Sequence, residues 1–294
     1  MRRTIHRLVP LLLALCVTAL GCSNDDPEPA ERPGTTTTTV VTSTTSPSAT
    51  STIEAGQALT LTAYLLRDEK MAAVHRSVPH TQQTAAAALT ALLEGPTAAE
   101  QAAGFSTSIP AGTTLNGVTI SGTTATVDLS PAFTTGGGSM SMMGRVAQVT
   151  YTATQFPTVT GVLFRIDGKP LTTLGGEGLM LDSPQTRADS EDLQPAILVE
   201  SPAWGDTVPA TFTASGMSNT FEATHQLWVL APSGTTLFDQ HVTATSGTGT
   251  RGTWSQQVTL PAGTSGPVTL RVFEYSAKDG SPINQVEIPL TVAG

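Results

Sequence analysis

The residues of this 294-residue chain that could do chemistry are few and far apart. Beyond the first few positions the histidines are His75, His80, His225 and His241. His75 and His80 stand five apart, without the glutamate of a zinc-binding H-E-x-x-H helix. They fall in a polar stretch between a strand and a helix and read as exposed loop histidines. His225, close to Trp228, reads as a strand residue on a sheet surface. A pair of carboxylates can hydrolyse a glycosidic bond, and Asp128, ending an apolar strand, and Glu94, ending a helix, are the pair to consider. Each also suits the solvated end of its own element. Gly136-Gly137-Gly138-Ser139 precedes a helix, as an anion-binding loop does, but no Gly-Lys-Ser/Thr follows. It reads as a connection that ends in Ser139 as the helix N-cap. Asp167-Gly168-Lys169-Pro170 reads as a turn. No G-x-S-x-G elbow is present. Met140, Met142 and Met143 read as core filling. No catalytic, cofactor-binding or metal-ligating residue is therefore expected, and no cofactor.

The elements that would position these groups divide the chain after residue 57 into two parts. In the first, residues 59–66 (LTLTAYLL) alternate as a strand does. Residues 81–94 (TQQTAAAALTALLE) carry Ala85, Ala88, Leu89, Leu92 and Leu93 at helical spacing, and Gly95-Pro96 stops that helix. Residues 115–120 and 124–129 form a hairpin around Ser121-Gly122-Thr123. A second helix is expected over 139–156, with Met142, Val146, Val149, Ala153 and Phe156 on one face, and a strand over 159–166. A proline, serine and acid cluster at 182–195 (DSPQTRADSEDLQP) marks the seam. Beyond it, seven short strand-like runs recur at 196–200, 207–214, 223–230, 236–243, 253–260, 268–275 and 285–292. Turn residues separate them. That spacing argues for an antiparallel sandwich of immunoglobulin type, with Trp228 and Trp254 filling the core where an inter-sheet disulfide would otherwise sit.

The N-terminus argues about location. Arg2, Arg3 and Arg7 precede the uncharged run 8–20 (LVPLLLALCVTAL), the layout of a secretory signal peptide. At thirteen residues that run falls short of the roughly 20 that span a bilayer as a helix. Its end, Ala19-Leu20-Gly21-Cys22, resembles the bacterial lipobox, whose cysteine carries a diacylglyceryl group. Cys16 leaves with the leader, so the folded part holds no cysteine. Of 14 Lys and Arg, three leave with residues 1–21, so 11 face 23 Asp and Glu, a formal balance of −12. Such a surface disfavours nucleic acid. Residues 22–57 open acidic and pass into a Thr/Ser tract with too little apolar surface to offset ordering, and read as a disordered tether.

Within the first part, "AYLLRDEK", "ALTALLEGPTAAEQAAGFSTSIPAGTTL", "ATVDLSPAF" and "GVLFRIDGKPL" resemble the GerMN domain. In the second, "VESPAWGDTV", "FTASGMSNTFEATHQLWVL" and "VTLRVFEYSAKDGSPIN" are similar to the immunoglobulin-like domain that often follows it in spore germination proteins. The resemblance implies a small sheet backed by two helices at 58–182, a linker at 183–195 and an all-β sandwich at 196–294. It brings no catalytic residues.

The expectation is a non-enzymatic scaffold or interaction module, lipid-anchored through Cys22 on the outer face of the cytoplasmic membrane. Its partner would be another envelope protein or cell-wall glycan, and a link to sporulation or germination assemblies comes with the family. The alternative is a cell-wall-modifying enzyme or glycan-binding protein that uses Asp128, Glu94 or the loop histidines. That reading requires those side chains to converge in one cleft.

Overall fold

The computed structural model describes residues 58–176 and 178–294, which fall within one compact unit. The expected leader, Cys22 and the expected tether to residue 57 lie outside the described residues. No described helix is long and apolar enough to cross a membrane.

Strands β1 (Ala58–Arg67) and β2 (Lys70–Pro79) pair in unbroken register from Ala58↔Pro79 to Arg67↔Lys70. Asp68 and Glu69 take positive φ at the tip, as a two-residue hairpin that follows sheet twist demands. Helix α1 (Thr84–Leu93) ends as expected, with Gly95 at φ 73° and Pro96 behind it. Helix α2 (Ala98–Ala102) is a single turn set by a capping box between Thr97 and Glu100. Strand β3 (Phe105–Ser106) then returns to β1, giving the order β2-β1-β3.

A second sheet follows. The hairpin β4 (Leu115–Ser121) and β5 (Thr124–Leu129) turns at Gly122, where φ is 58°. Helix α3 (Ser139–Ala153) makes the crossover to β6 (Gly161–Ile166), parallel to β5, and β7 (Lys169–Pro170) closes the order β4-β5-β6-β7. A small hairpin, β8 (Thr173–Leu174) and β9 (Leu179–Met180), lies beside them. The expected single small sheet with two helices is thus two sheets of three and four strands and a two-stranded one, with two longer helices and one short one. Val146, Val149 and Ala153 of α3 pack with Leu89 and Leu92 of α1 and with Ala63, Leu65, Val127 and Leu129 of the sheets. Each valine or leucine side chain so buried contributes about 1.5–3 kcal/mol.

The sandwich holds eight strands, one more than the sequence suggests. Its sheets run β10-β12-β15 and β11-β17-β16-β13-β14, with β10 (Ile197–Ser201), β11 (Thr207–Val208), β12 (Thr211–Ser218), β13 (Thr224–Leu230), β14 (Thr236–Thr243), β15 (Gly252–Thr259), β16 (Gly266–Tyr275) and β17 (Pro282–Val292). The expected strand 207–214 divides at Pro209, which has no amide to donate. β11 pairs parallel to β17, whereas β12 crosses to the other sheet. Leu227, Val229, Val268, Leu270 and Val272 point inward with Trp254. Trp228 does not fill the core; it stands edge-on to Phe273, centroids 4.9 Å apart, and that pair continues to Tyr275.

Candidate functional site

Residues 187–193, within the expected linker, are wound into 3-10 turns. A second capping box, Thr186 with Asp189, fixes where these turns start. Arg187 is thereby aimed back between the two modules. Its Nη1 donates to Glu200 Oε1 at 2.7 Å, its Nη2 to the Tyr64 hydroxyl at 3.1 Å and its Nε to Thr154 Oγ1 at 2.9 Å. The guanidinium also lies over the rings of Tyr64 and Tyr151, 5.1 and 4.8 Å from their centroids. Tyr64 comes from β1, Tyr151 from α3 and Glu200 from β10, so four segments spread over 137 positions meet at one guanidinium. The Tyr64 hydroxyl donates to Glu200 as well.

The electrostatics favour neutral tyrosines and a charged arginine. Burial, followed by the charge of Glu200, pushes the Tyr64 hydroxyl far above its ordinary range, and burial pushes Tyr151 up likewise. Burial works against the charge on Arg187, yet Tyr64 and Glu200 outweigh it and raise its pKa. The chemistry this arrangement supports is mutual anchoring. Below it, Leu66, Met71 and Ala73 of the hairpin pack on Leu193 and on Leu198 of the sandwich. His75 Nδ1 meets Asp206 Oδ2 at 2.7 Å, and Trp204 stands edge-on to Phe105 at 5.8 Å. Glu191 of the turns is gripped by Arg251 of the sandwich at 2.9 Å.

Beside this seam a cleft of about 620 Å³ opens between the hairpin tip and strands β10 and β17. None of His75, His80, His225, His241, Glu94 or Asp128 lines it. Asp128 caps the turn after β6, accepting from the Gly168 amide at 2.9 Å, and Asn116 reaches the neighbouring Asp167 at 3.1 Å. Glu94 is exposed at the C-cap of α1. His80 is exposed just after β2. His75 is not in a loop: it sits on β2 and is committed to Asp206. His241 hydrogen-bonds Gln226 across β13 and β14 at 2.9 Å. His225 is not on the sheet surface but 2 % exposed, edge-on to Trp254 at 5.0 Å. Burial, then the nearby His241, lowers its pKa to about 4.

The glycine run does not await an anion either. Arg145, 1 % exposed, donates to the carbonyls of Phe133, Thr135 and Gly136 at 2.6, 3.0 and 2.9 Å. A cation therefore fills the loop. Gly137, at φ 83°, is required there, since a Cβ would come within 2.7 Å of the guanidinium. The N-cap is Gly138 rather than Ser139. Of the methionines, Met140 is exposed, while Met142 and Met143 are half-buried and line a small pocket of about 170 Å³. Among the described residues no group of three His, Cys, Asp or Glu could hold a metal ion. Of the seam residues sequence reasoning singled out only His75, as a loop histidine, and missed Tyr64, Tyr151, Arg187 and Glu200. The one signal that could have found part of it is the pattern Thr186-x-x-Asp189, a helix-start signature inside the expected linker.

Fold and seam together define an α+β module fastened to an immunoglobulin-like sandwich. Residues 62–172 match the family model described as Germane, sporulation and spore germination. Residues 196–281 match Gmad2, the immunoglobulin-like domain of bacterial spore germination. The chain is 30 % identical to the first GerMN domain of the sporulation protein GerM from Bacillus subtilis, over 45 % of this chain and 99 % of that one, with a TM-score of 0.39. Against the tandem GerMN domains of the same protein, identity is 20 %, over 69 % of this chain and 62 % of that one, with a TM-score of 0.39. A Clostridium perfringens protein described as a candidate lipoprotein is 20 % identical over 47 % of this chain and 92 % of its own, with a TM-score of 0.34. No curated protein matches. The chain belongs to the GerMN family and carries the immunoglobulin-like domain of spore germination proteins behind its GerMN domain.

Proposed function

We propose that this chain is a non-enzymatic interaction scaffold of the bacterial cell envelope, lipid-anchored through Cys22 on the outer face of the cytoplasmic membrane. The observation that carries this reading is the seam. Tyr64, Tyr151, Arg187 and Glu200 commit their polar groups to one another and fasten two modules whose families are named for sporulation and germination. A joint held by part-buried hydrogen bonds and ring contacts presents two surfaces in fixed relation, which suits assembly with another envelope component. The lipobox-like Ala19-Leu20-Gly21-Cys22 supports the anchor, since two acyl chains at about 0.8 kcal/mol per buried methylene hold where one would not. The acidic balance of the chain beyond the leader directs the choice of partner toward protein or cell-wall glycan rather than nucleic acid.

Crosslinking in intact cells followed by recovery of the native chain tests the scaffold. A reproducible envelope partner is expected, and recovery of nothing above background in several growth states would overturn it. Labelling with an alkyne fatty acid tests the anchor. Label and membrane retention should both disappear in Cys22→Ala, and an unlabelled wild-type chain would remove the anchoring half of the proposal.

A further inference from the structure

The five-stranded sheet of the sandwich buries only one of its faces in the core. Directly opposite residues of paired strands share a face, and Leu227, Val229, Leu270 and Val272 take the inner one. The pairs Trp228↔Asp239, Trp228↔Arg271 and Arg271↔Glu287 therefore set a row of side chains across the outer face of β14, β13, β16 and β17. His241↔Gln226 and Gln226↔Phe273 set a second row beside it.

Phe273 points outward on this face yet is only 1 % exposed. The rings of Trp228 and Tyr275 stand against it at 4.9 and 5.1 Å, turned 86° and 90° from its plane, and shield it from water. Phe273 in turn props both rings up. Trp228 is half-buried and Tyr275 is 50 % exposed.

The polar groups around these rings are planar and paired with one another. Arg271 donates through Nε and Nη2 to Glu287 Oε1 at 2.7 and 2.6 Å. Gln285 donates to the same oxygen at 3.2 Å, and Gln226 meets His241 at 2.9 Å. These contacts leave capacity over, since a guanidinium has five donors and each carboxylate oxygen or amide carbonyl two lone pairs. Among the described residues Glu287 Oε2 and the Gln226 side-chain carbonyl accept no hydrogen bond. Arg271 and Glu287 cancel in charge, while the exposed Asp239 of the same row joins no ion pair among the described residues.

This combination selects its occupant. A surplus carboxylate on an acidic chain repels polyanions and anionic lipid. The core of a protein interface is depleted of charged residues, whereas Arg271 and Glu287 lie in the row that Trp228 shares. An uncharged polyhydroxylated chain matches both kinds of group. Its sugar rings can lay their C–H faces on aromatic rings, and its hydroxyls can take the place of water on the amides, guanidinium and carboxylate.

We propose that the outer face of this sheet binds a glycan strand of the cell wall, with Trp228 and Tyr275 taking sugar rings and Gln226, Arg271 and Glu287 taking hydroxyls. This inference rests on the scaffold reading, which places the chain beside the wall, and it assigns glycan to one of the surfaces that the seam holds.

The test mixes the native chain, purified in detergent, with cell-wall sacculi stripped of anionic polymers and with glycan strands freed of their stem peptides. The chain is expected to sediment with the sacculi and to bind the bare strands, with a change in tryptophan fluorescence that Trp228→Phe removes. Tyr275→Ala should weaken binding at least tenfold. Should that variant not fold, Gln226→Ala must weaken binding at least threefold in its place. The proposal is overturned by no binding to either material, or by variants that bind as the wild type does. Binding to sacculi but not to bare strands would overturn it as well, assigning the face to the stem peptide. Self-association that Tyr275→Ala abolishes would assign the face to a second copy and overturn it too. A protein partner recovered by crosslinking in cells, alongside failed glycan binding, would sink this inference alone and leave the scaffold standing.

Discussion

The GerMN module and the sandwich bury polar groups in opposite ways. In the first, buried polar side chains reach far along the chain to partners. Gln148 binds the Ser108 amide and the Tyr64 carbonyl, Gln155 both accepts from and donates to Thr62, and Arg76 grips Glu100 with two bonds of 2.6 and 2.7 Å. In the sandwich, among the described residues, the buried side-chain atoms of Ser218, Thr220, His225, Trp228 and Trp254 have no hydrogen-bond partner, against Thr150 in the GerMN module, although the buried Glu274 still accepts from Phe221 and Asn284. The GerMN module is thus tied by polar crosslinks, while the sandwich is held by apolar interleaving that tolerates unmet hydrogen bonds at about 1–3 kcal/mol each. Variants that remove polar groups should hurt the first and spare, or even help, the second.

Arg145→Met makes the sharpest break. It leaves the buried carbonyl of Phe133 without a donor, while those of Thr135 and Gly136, on exposed residues, can take up water, and we expect a loss of about 3 kcal/mol, read by denaturant titration. A loss under ~1 kcal/mol would mean that the loop finds other donors and that the contrast is weaker than drawn.

His225 tests the sandwich from the other side. Its folded pKa of about 4 lies below the unfolded 6.5, so the unfolded chain takes up a proton that the native state refuses. Stability is full above about pH 6.5 and falls as pH drops toward 4, where the loss levels off at roughly 3 kcal/mol. In His225→Leu this acid slope should vanish, with little or no loss at pH 7.5, because both ring nitrogens already lack partners. Chemical denaturation across pH 4–7.5 reads both quantities. An unchanged slope would place the acid sensitivity elsewhere.

The same contrast explains what could be read in advance. The hairpin at Gly122, the helices over 84–93 and 139–153 and most sandwich strands were legible, because apolar side chains facing one core repeat at the period of their element. β2 was not, since His75 and Arg76 interrupt its apolar pattern. Both are polar for a tertiary reason, their partners Asp206 and Glu100 lying 131 and 24 positions away. Residues 187–193 read as a linker for the same cause: they bury Ser190 and Leu193 and half-bury Arg187, only one of the three apolar. The candidate site was illegible because no spacing rule connects Tyr64, Tyr151, Arg187 and Glu200.

At the seam the two styles meet, and Arg187→Met asks which one governs it. The variant keeps the aliphatic stem against Tyr64 and Tyr151 but removes the donors to Glu200, which is partly solvated and can rehydrate. We expect a loss of about 2 kcal/mol and, in calorimetry, one transition separating into two as each module melts on its own core. A single transition at the wild-type temperature would mean that Leu66, Met71, Leu193 and Leu198 hold the joint without the arginine.

The smallest expected effect refines the polar side of the comparison. In the GerMN module even a one-turn helix is crosslinked: Thr97 accepts from the Glu100 amide at 3.3 Å, and Glu100 accepts from the Thr97 amide at 2.7 Å while holding Arg76. Burial works to raise the Glu100 pKa, but Arg76 and the Thr97 amide outweigh it and keep the carboxyl below its ordinary value. Thr97→Ala removes the capping hydroxyl and a methyl but keeps the amide that Glu100 accepts from, and should cost about 1 kcal/mol, the worth of an N-cap. Glu100→Gln weakens the arginine contact as well and should cost more. The wild type should also lose this contribution as pH falls through the depressed Glu100 pKa, while Glu100→Gln should not. If Thr97→Ala proves the costlier of the two, the short helix depends on its cap, and Arg76 is a bystander rather than a crosslink.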